Sequence, residues 1–343
     1  MLRTWDIFDT LIARRCIFPK EIFRIVEQTS NVGNFAQTRI ATEQNVLARG
    51  KNCTLDLIYE ELQRITNAPK DFCDTLKKLE CDVEVEQSIP ITENIRQVKA
   101  GDVLISDMYL PEEIIRRMLV KAGLIAPVEI YISSGGKFSG RVWRQLAAQK
   151  LNVFHSGDNE YSDLINPRNA KLDAMLDVRA RLNFAEQFIL QHDAAFAAYL
   201  REIRLRNPFA EEIKRLYWEY FTLNIGTLIL IVRHLDALQK NRGFEYLGFC
   251  GRDAHYLRLL YEKFKRDCDE TPVPNDYLFY SRSVLKNSRE DMEKYFRAKI
   301  KNRKALLLDM FGTGSNLHKF RGGHQLFAVN LLSPQQKILR HLP

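Results

Sequence analysis

The 343-residue sequence has few of the residues that build a metal-stapled or disulfide-stapled scaffold. Its six cysteines form no Cys-x-x-Cys pair, and no histidine cluster accompanies them, which argues against a structural zinc site. Glycine and proline are scarce, with 16 and 11 residues, and 45% of the chain is hydrophobic. This composition excludes wholesale disorder and predicts a folded protein.

The sequence also lacks a long uninterrupted apolar run. It enters a strand-like pattern at once, with no apolar signal segment. The longest apolar stretch, residues 220–235, is too short for a confident membrane span and is interrupted by Asn224 and Arg233. We therefore expect a buried core helix there, no membrane span, and a cytoplasmic location.

The charge balance is basic, with a formal net charge of +8. Such a balance favours anionic partners, but it does not choose among phosphorylated metabolites, nucleotides, nucleic acid and membrane surfaces. We expect most of the lysines and arginines to solvate helix surfaces. No specific nucleic acid partner is predicted.

The order of elements predicts an α/β fold. A strand that ends near Asp6 is followed by four or so helical patterns over residues 17–100. The pattern then alternates between strands at 102–110, 128–134 and 153–158 and helices at 111–124 and 140–151. Strand, helix, strand in this order is typical of a parallel sheet with crossover helices.

The rest of the chain predicts a second α/β domain. Residues 164–240 read as mostly helical, and strands follow at 244–250, 276–281, 304–309 and 325–332. Because the length exceeds one typical domain, we expect a first domain over 1–185, a helical connector over 186–240 and a second domain over 241–343. The last strand lies close to the end of the sequence, so we expect a truncated form of a longer relative.

Polar residues end each predicted strand of the first half: Asp6, Ser106, Ser133 with Ser134, and Asp158. Ligands of such sheets bind at the carboxyl ends of strands. Carboxylates brought together there, with Asp163 five residues after Asp158, would suit Mg²⁺. A lysine and a hydroxyl beside such a cation can surround a phosphoryl group. Lys137 and Ser106 are the candidates for these two roles.

Four motifs in one order resemble the haloacid dehalogenase (HAD) superfamily: Asp-x-x-x-Thr at 6–10, a strand ending in Ser106, a later Lys137, and Gly-Asp-x-x-x-x-Asp at 157–163. The resemblance covers residues 1 to about 180. It implies a Rossmann-like core with a helical cap, about residues 17–100, inserted after the first strand. A bacterial group of predicted HAD hydrolases, often met with surface-polysaccharide genes, is similar over both halves.

The resemblance implies roles for particular residues. Asp6 would be the nucleophile that forms an aspartyl-phosphate, and Thr10 would belong to the same loop. Ser106 and Lys137 would hold the transferred phosphoryl group, although Arg141 is close enough in sequence to replace Lys137. Mg²⁺ would be bound by Asp6, the carbonyl of Phe8 and Asp158, with Asp163 supporting either the metal shell or Lys137. Asp107 is interpreted as a cap of the helix that follows it.

One position departs from the phosphatase pattern of that superfamily. The second aspartate, which usually lies two residues after the nucleophile and acts as general acid and base, is replaced by Phe8. Asp9 follows directly. It is either a displaced acid or a structural residue that caps the turn, and the capping interpretation is preferred.

The second half contains a loop that resembles a phosphate-binding turn. Asp309 precedes glycines and hydroxyls that can present backbone N–H groups to an anion, and an earlier turn follows the strand 244–250. This spacing is weakly similar to the ribose-phosphate loop of type I phosphoribosyltransferases. The candidate residues are Arg252, Asp253, Asp309, Gly312, Thr313, Gly314 and Ser315.

The sequence thus predicts a Mg²⁺-dependent hydrolase of a small phosphorylated metabolite, such as a sugar phosphate or nucleotide-linked precursor. Two alternatives stay open. The C-terminal half would carry glycosyl or phosphoribosyl transfer, or the chain would be a scaffold that binds phosphate without turnover.

Overall fold

The computed structural model describes residues 1–50, 53–209, 226–251, 254–279, 288–311 and 326–332, together with Ile213 and Leu216. The chain divides into two compact units, Met1–Trp218 and Glu219–Pro343. Each unit contains its own parallel sheet.

The first unit is organised around a five-stranded parallel sheet in the order β5-β4-β1-β6-β7. The central strand β1 has Thr4 and Trp5 buried, so its residues are covered on both faces, as parallel sheets require. The α/β fold with a parallel sheet is therefore confirmed. The strands are β1 (Leu2–Trp5), β4 (Val103–Ser106), β5 (Glu129–Ile132), β6 (Val153–Gly157) and β7 (Asp173–Leu176).

Four long helices lie between β1 and β4, as the sequence predicts. Thr54 caps the third of them by accepting a hydrogen bond from the Leu57 N–H (3.3 Å). A short antiparallel pair, β2 (Ile12–Arg14) and β3 (Ser88–Pro90), joins the two ends of this insertion and was not predicted. The helices are α1 (Glu21–Ser30), α2 (Phe35–Ala48), α3 (Leu55–Thr66) and α4 (Lys70–Gln87).

A buried ion pair ties the inserted helices together. Arg39 and Glu80 have no exposed side-chain surface and form a bidentate pair at 2.8–2.9 Å, and the Tyr59 hydroxyl donates to the same carboxylate (2.9 Å). Arg14 of β2 pairs in the same bidentate way with Glu84 of α4 (2.8 Å). A buried charge is stable only beside its partner. The first pair therefore holds α2 against α4, and the second holds α4 against β2.

The remaining helices of the first unit flank the sheet or follow it. A π-helical turn, Glu160–Ile165, comes directly after β6. Helices α9 and α10, which the sequence analysis placed in a connector, lie within the first compact unit. These helices are α5 (Thr92–Ile95), α6 (Glu112–Lys121), α7 (Arg141–Ala148), α8 (Asn166–Asn169), α9 (Phe184–Leu190) and α10 (Ala194–Leu205).

The prediction of mostly helical structure over 164–240 is wrong at β7. This strand is four residues long and, among the described residues, pairs with β6 alone. Its burial alternates, so that Ala174 is covered while Asp173 is exposed. An edge strand of this kind needs few β-branched residues, which is why its composition gave no strand signal.

The second unit has a four-stranded parallel sheet in the order β11-β10-β8-β9, which matches the four predicted strands. Its strands are β8 (Tyr246–Cys250), β9 (Asn275–Leu278), β10 (Ala305–Phe311) and β11 (Leu326–Leu332). Helices span Gly226–Arg242, Ala254–Asp267 and Arg289–Ile300.

The apolar stretch at 220–235 is described from Gly226 onward, where it begins a helix. One face of this helix, with Val232 and Leu235, is buried in the core of the second unit, while Leu230 is 41% exposed. Across the described parts of the chain, no helix combines the length and the apolar character needed to span a membrane.

Candidate functional site

The candidate site lies at the carboxyl ends of the two central strands of the first sheet. Strand β1 has β4 on one side and β6 on the other, so the connections leave in opposite directions at this point. Crevices of this kind are the usual ligand sites of open α/β sheets. Asp6 directly follows β1, and Asp158 directly follows β6.

Three carboxylates meet at this crevice. Asp6, Asp158 and Asp163 each offer an oxygen, and these oxygens lie within 4.8 Å of one another. Asp6 and Asp163 are buried, and Asp158 is partly exposed. The cluster matches the three aspartates that the sequence predicts as the metal site.

The close approach of Asp163 depends on a glycine. A Cβ added to Gly157 would lie 2.5 Å from the Asp163 carboxyl carbon, which is closer than real Cβ contacts allow. Asp163 lies on the π-helical turn. At the start of this turn, the side-chain oxygen of Asn159 accepts hydrogen bonds from the N–H groups of Tyr161 and Ser162 (3.0 Å each). π-helical turns are rare and frequently occur at functional sites.

Lys137 joins two of the three carboxylates. Its ammonium group donates to Asp6 Oδ1 and lies 2.7 Å from Asp163 Oδ1, and its side chain is 4% exposed. It also donates to the carbonyl of Ile105 (3.4 Å). Lys137 therefore occupies the cationic position of the cluster, whereas the alternative Arg141 is exposed at the start of α7.

The environment separates the pKa values of the three carboxyl groups. Burial raises the pKa of Asp6 to about 6, although Lys137 lowers it in part. Burial, followed by repulsion from Asp6 and Asp9, raises the pKa of Asp158 to about 8. Burial opposes the charge of Asp163, but hydrogen bonds and attraction from His155 and Lys137 hold its pKa at about 2. The cluster thus has more carboxylates than one lysine can neutralise. Two of them, Asp6 and Asp158, have pKa values above the usual range of aspartate.

His155 orients Asp163 from within β6. Its Nε2 lies 3.3 Å from Asp163 Oδ1, its Nδ1 lies 2.8 Å from the Thr4 hydroxyl, and its ring packs 4.5 Å from that of Trp143. Burial lowers the pKa of His155, so the neutral ring is favoured at neutral pH. The sequence analysis did not identify His155, because a buried strand histidine has no spacing signal of its own.

Thr10 and Ser106 lie where the sequence predicts them. The Thr10 hydroxyl is buried and donates to Asp6 Oδ2 (3.3 Å). Ser106 is buried at the end of β4, and its carbonyl accepts from the Ser133 N–H (2.8 Å). Asn94 is buried as well, and its side-chain amide donates to the Thr10 carbonyl (2.7 Å), which fixes the loop after Asp6.

Phe8 and Asp9 follow the candidate nucleophile in a tight turn. The Arg14 guanidinium lies 4.8 Å above the Phe8 ring. Asp9 has a φ of 53°, in the left-handed region that aspartate tolerates better than most residues. Its carboxylate accepts from Arg201 (2.8 Å), a buried residue of α10. Neither proposed role of Asp9, acid or cap, is tested by this ion pair.

Arg201 is a second residue that the sequence analysis missed. It is 5% exposed and also donates to the carbonyls of Ala180 (2.8 Å) and Arg14 (2.9 Å). Arg201 lies 192 positions from Asp9 in the chain, so only the folded structure brings the two together.

The interpretation of Asp107 as a helix cap is wrong. Helix α6 begins after Pro111, with no side-chain cap. The Asp107 carboxylate instead accepts hydrogen bonds from the loop that carries Lys137, because that loop brings free backbone N–H groups to the end of β4.

Of the candidates in the second half, Asp309 lies within the described residues. It is on β10, in register with Cys250 of β8 and Asn330 of β11. The remaining candidates lie outside the described residues: Arg252, Asp253, Gly312, Thr313, Gly314 and Ser315.

A scan against models of protein families and a search of curated proteins both find no match for this chain.

Proposed function

We propose that the first unit is a HAD-type, Mg²⁺-dependent phosphohydrolase of a small phosphorylated metabolite, such as a sugar phosphate or a nucleotide-linked precursor. One observation carries this proposal. Three aspartate carboxylates converge within 4.8 Å at the central strand ends, and a buried lysine bridges two of them. Clustered carboxylates are ligands for hard cations, and a fixed cation beside them can bind a phosphoryl group.

The residues fit a magnesium ion chemically. All the candidate donors are oxygens. Burial raises the pKa of Asp6 and Asp158, and repulsion between the carboxylates adds to this, so a divalent cation beside them would favour their charged forms. Asp6, Asp158 and the carbonyl of Phe8 would hold it. When bound, the ion would neutralise phosphate charge as a Lewis acid. Asp163 accepts bonds at both oxygens, from Lys137 and Asn159, so it would support Lys137.

The protein's own groups would perform the transfer. An oxygen of Asp6 would attack phosphorus in line, the new Asp6 O–P bond would form, and the bond from phosphorus to the leaving oxygen would break. Lys137 and the Ser106 hydroxyl would bind the phosphoryl oxygens as charge develops on them. Thr10 would orient the Asp6 carboxylate. Attack by water would then release phosphate and restore Asp6.

The inserted helices would serve as a cap that covers the crevice and selects the substrate. Support for this comes from the two bidentate pairs, Arg14 with Glu84 and Arg39 with Glu80, which hold the inserted helices in one arrangement close to the nucleophile loop. A cap held in one arrangement suits substrate selection, because fixed contacts position one substrate for attack better than another.

The experiment is a panel of phosphate esters assayed with Mg²⁺ for the wild type, Asp6→Asn and a control. Asp173→Asn is the matched control, since Asp173 is an exposed aspartate on β7 of the same sheet. We expect activity in the wild type and the control, and loss in Asp6→Asn with an unchanged melting temperature. Equal activity in wild type and Asp6→Asn would overturn the proposal. Tight phosphate binding without turnover in the wild type would favour the scaffold alternative.

A further inference from the structure

The backbone of Lys137 and Phe138 is held on both sides by two side chains. The Asp107 carboxylate accepts from the N–H of Lys137 (3.1 Å) and the N–H of Phe138 (3.0 Å). The Asn166 amide donates to the carbonyls of the same two residues, at 3.1 and 2.8 Å. All four polar backbone groups of this dipeptide therefore bond to Asp107 or Asn166, and the Lys137 carbonyl also accepts from the Gly140 N–H (3.0 Å).

Each of the two side chains belongs to an element that carries another residue of the site. Asp107 directly follows Ser106 at the end of β4, and its carboxylate also accepts from the Ser133 hydroxyl. Asn166 begins α8, immediately after the π-helical turn that carries Asp163. The π-helical turn and the start of α8 thus hold Lys137 at two points, at its ammonium group through Asp163 and at its carbonyl through Asn166.

The position of the Lys137 ammonium group depends on contacts at both ends of its side chain. The side chain is a flexible stem of four carbons, so the acceptors at the ammonium group fix the charge in one place only together with a fixed backbone. Asp107 is exposed, so its side chain does not contribute to the packing of the protein core. All three hydrogen bonds that its carboxylate accepts come from the loop 133–138. The main effect of the Asp107 carboxylate is therefore to hold that loop in position.

We propose that Asp107 and Asn166 are positioning residues that fix Lys137 between Asp6 and Asp163. This inference rests on the proposed function for its effect on rate, but the clamp itself is a property of the fold. Both residues act through Lys137, so removing either has no further effect once Lys137 has been removed.

The first experiment is a double-mutant cycle on phosphate-ester hydrolysis. Asp107→Ala and Asn166→Ala are each made alone and together with Lys137→Ala, with Asp173→Ala and Asn152→Ala as exposed controls. We expect each clamp variant to lower kcat about 10- to 100-fold with little change in KM, because misplacement of a catalytic group by about 1 Å has effects of that size. In the Lys137→Ala background the further loss should be below about 2-fold. Equal losses in both backgrounds would overturn the proposal.

The second experiment needs no enzymatic activity. The full chain is treated briefly with an amine-acylating reagent, and peptide mass spectrometry compares Lys137 with the exposed Lys150 and Lys171. Asp107→Ala and Asn166→Ala should label Lys137 about 10-fold faster, with Lys150 and Lys171 unchanged and the melting temperature close to wild type. Asp107→Asn retains one acceptor and should lie between Asp107→Ala and the wild type. Unchanged labelling of Lys137 would overturn the clamp, whereas faster labelling in a protein without phosphatase activity would support the clamp and refute the proposed function.

Discussion

The phenylalanine at position 8 predicts a strong dependence on the leaving group. If no residue donates a proton to the departing oxygen, good leaving groups such as aryl phosphates and acyl phosphates should react much faster than alkyl phosphates. General acid catalysis typically contributes about 10²–10⁴-fold, and we expect a deficit of that size for alkyl esters. Phe8→Asp should recover part of it.

Phe8→Asp should also lower the free energy of unfolding. Phe8 is half-buried and packs against the first core, so losing its ring costs about 1–2 kcal/mol of apolar burial. The Arg14 guanidinium 4.8 Å above the ring adds about 0.5–1 kcal/mol of cation–π attraction. Together these predict a fall in melting temperature of about 5–10 °C for a unit of this size. Arg14 is already paired with Glu84, so its attraction for the new carboxylate is largely offset.

The assay is kcat/KM against leaving-group pKa, for aryl to alkyl phosphates with saturating Mg²⁺. The variants are wild type, Asp9→Asn, Phe8→Asp and the apolar control Phe8→Leu. We expect a steep series in wild type and in Phe8→Leu, and a shallower one in Phe8→Asp. A flat series in wild type would refute the reasoning. If that flat series steepened in Asp9→Asn, Asp9 would be the proton donor despite its ion pair with Arg201.

Three further predictions concern the carboxylate cluster. Because its pKa is raised from 3.8 to about 8, Asp158 keeps its proton in the folded state, and the stability of the metal-free protein should fall as pH rises through that window. Asp158→Asn should remove the part of this fall above about pH 6 in EDTA, since Asp6, with a pKa of about 6, contributes mainly below it, and Mg²⁺ should reverse the fall in wild type. Lys137→Met leaves the buried Asp6 and Asp163 without their cation and should cost about 3–5 kcal/mol in chemical denaturation. Gly157→Ala should displace Asp163, cost about 1–3 kcal/mol and weaken Mg²⁺ binding measured by calorimetry.

Matched controls separate these effects from general damage. Lys150→Met removes an exposed lysine, and Gly33→Ala adds a Cβ where no atom lies within 4 Å. A pH-independent stability in EDTA, a loss from Lys137→Met no greater than from Lys150→Met, or wild-type Mg²⁺ affinity in Gly157→Ala would each contradict the corresponding prediction.

The sequence predicted the parts of the first unit that follow from periodicity. Each crossover helix and strand from 102 to 158 shows an apolar pattern of the correct period, and the polar residues at strand ends must converge in a parallel sheet. The sequence alone therefore predicts that Asp6 and Asp158 lie at one crevice. The edge strand β7 and the ribbon β2–β3 were missed, because β2 and β3 each contain one β-branched residue and β7 contains none, whereas β4 and β5 contain two each.

The supporting residues of the site could not be predicted in the same way. Arg201, His155 and Asn166 make their contacts through tertiary packing, and none of them lies in a motif with fixed spacing. Asp107 illustrates the difference. An aspartate just before a predicted helix usually caps it, but here the loop 133–138 offers closer donors than the helix does.

The central claim is that Asp6 accepts the phosphoryl group, and covalent trapping tests it most directly. The wild type is mixed with Mg²⁺ and an aryl phosphate, quenched in acid during turnover and reduced with borohydride, which converts an aspartyl-phosphate to homoserine. Peptide mass spectrometry then locates the modified residue. We predict homoserine at position 6 in wild type and in Asp173→Asn. Turnover without modification of Asp6, or modification at Asp9 or Asp158 in its place, would contradict the account.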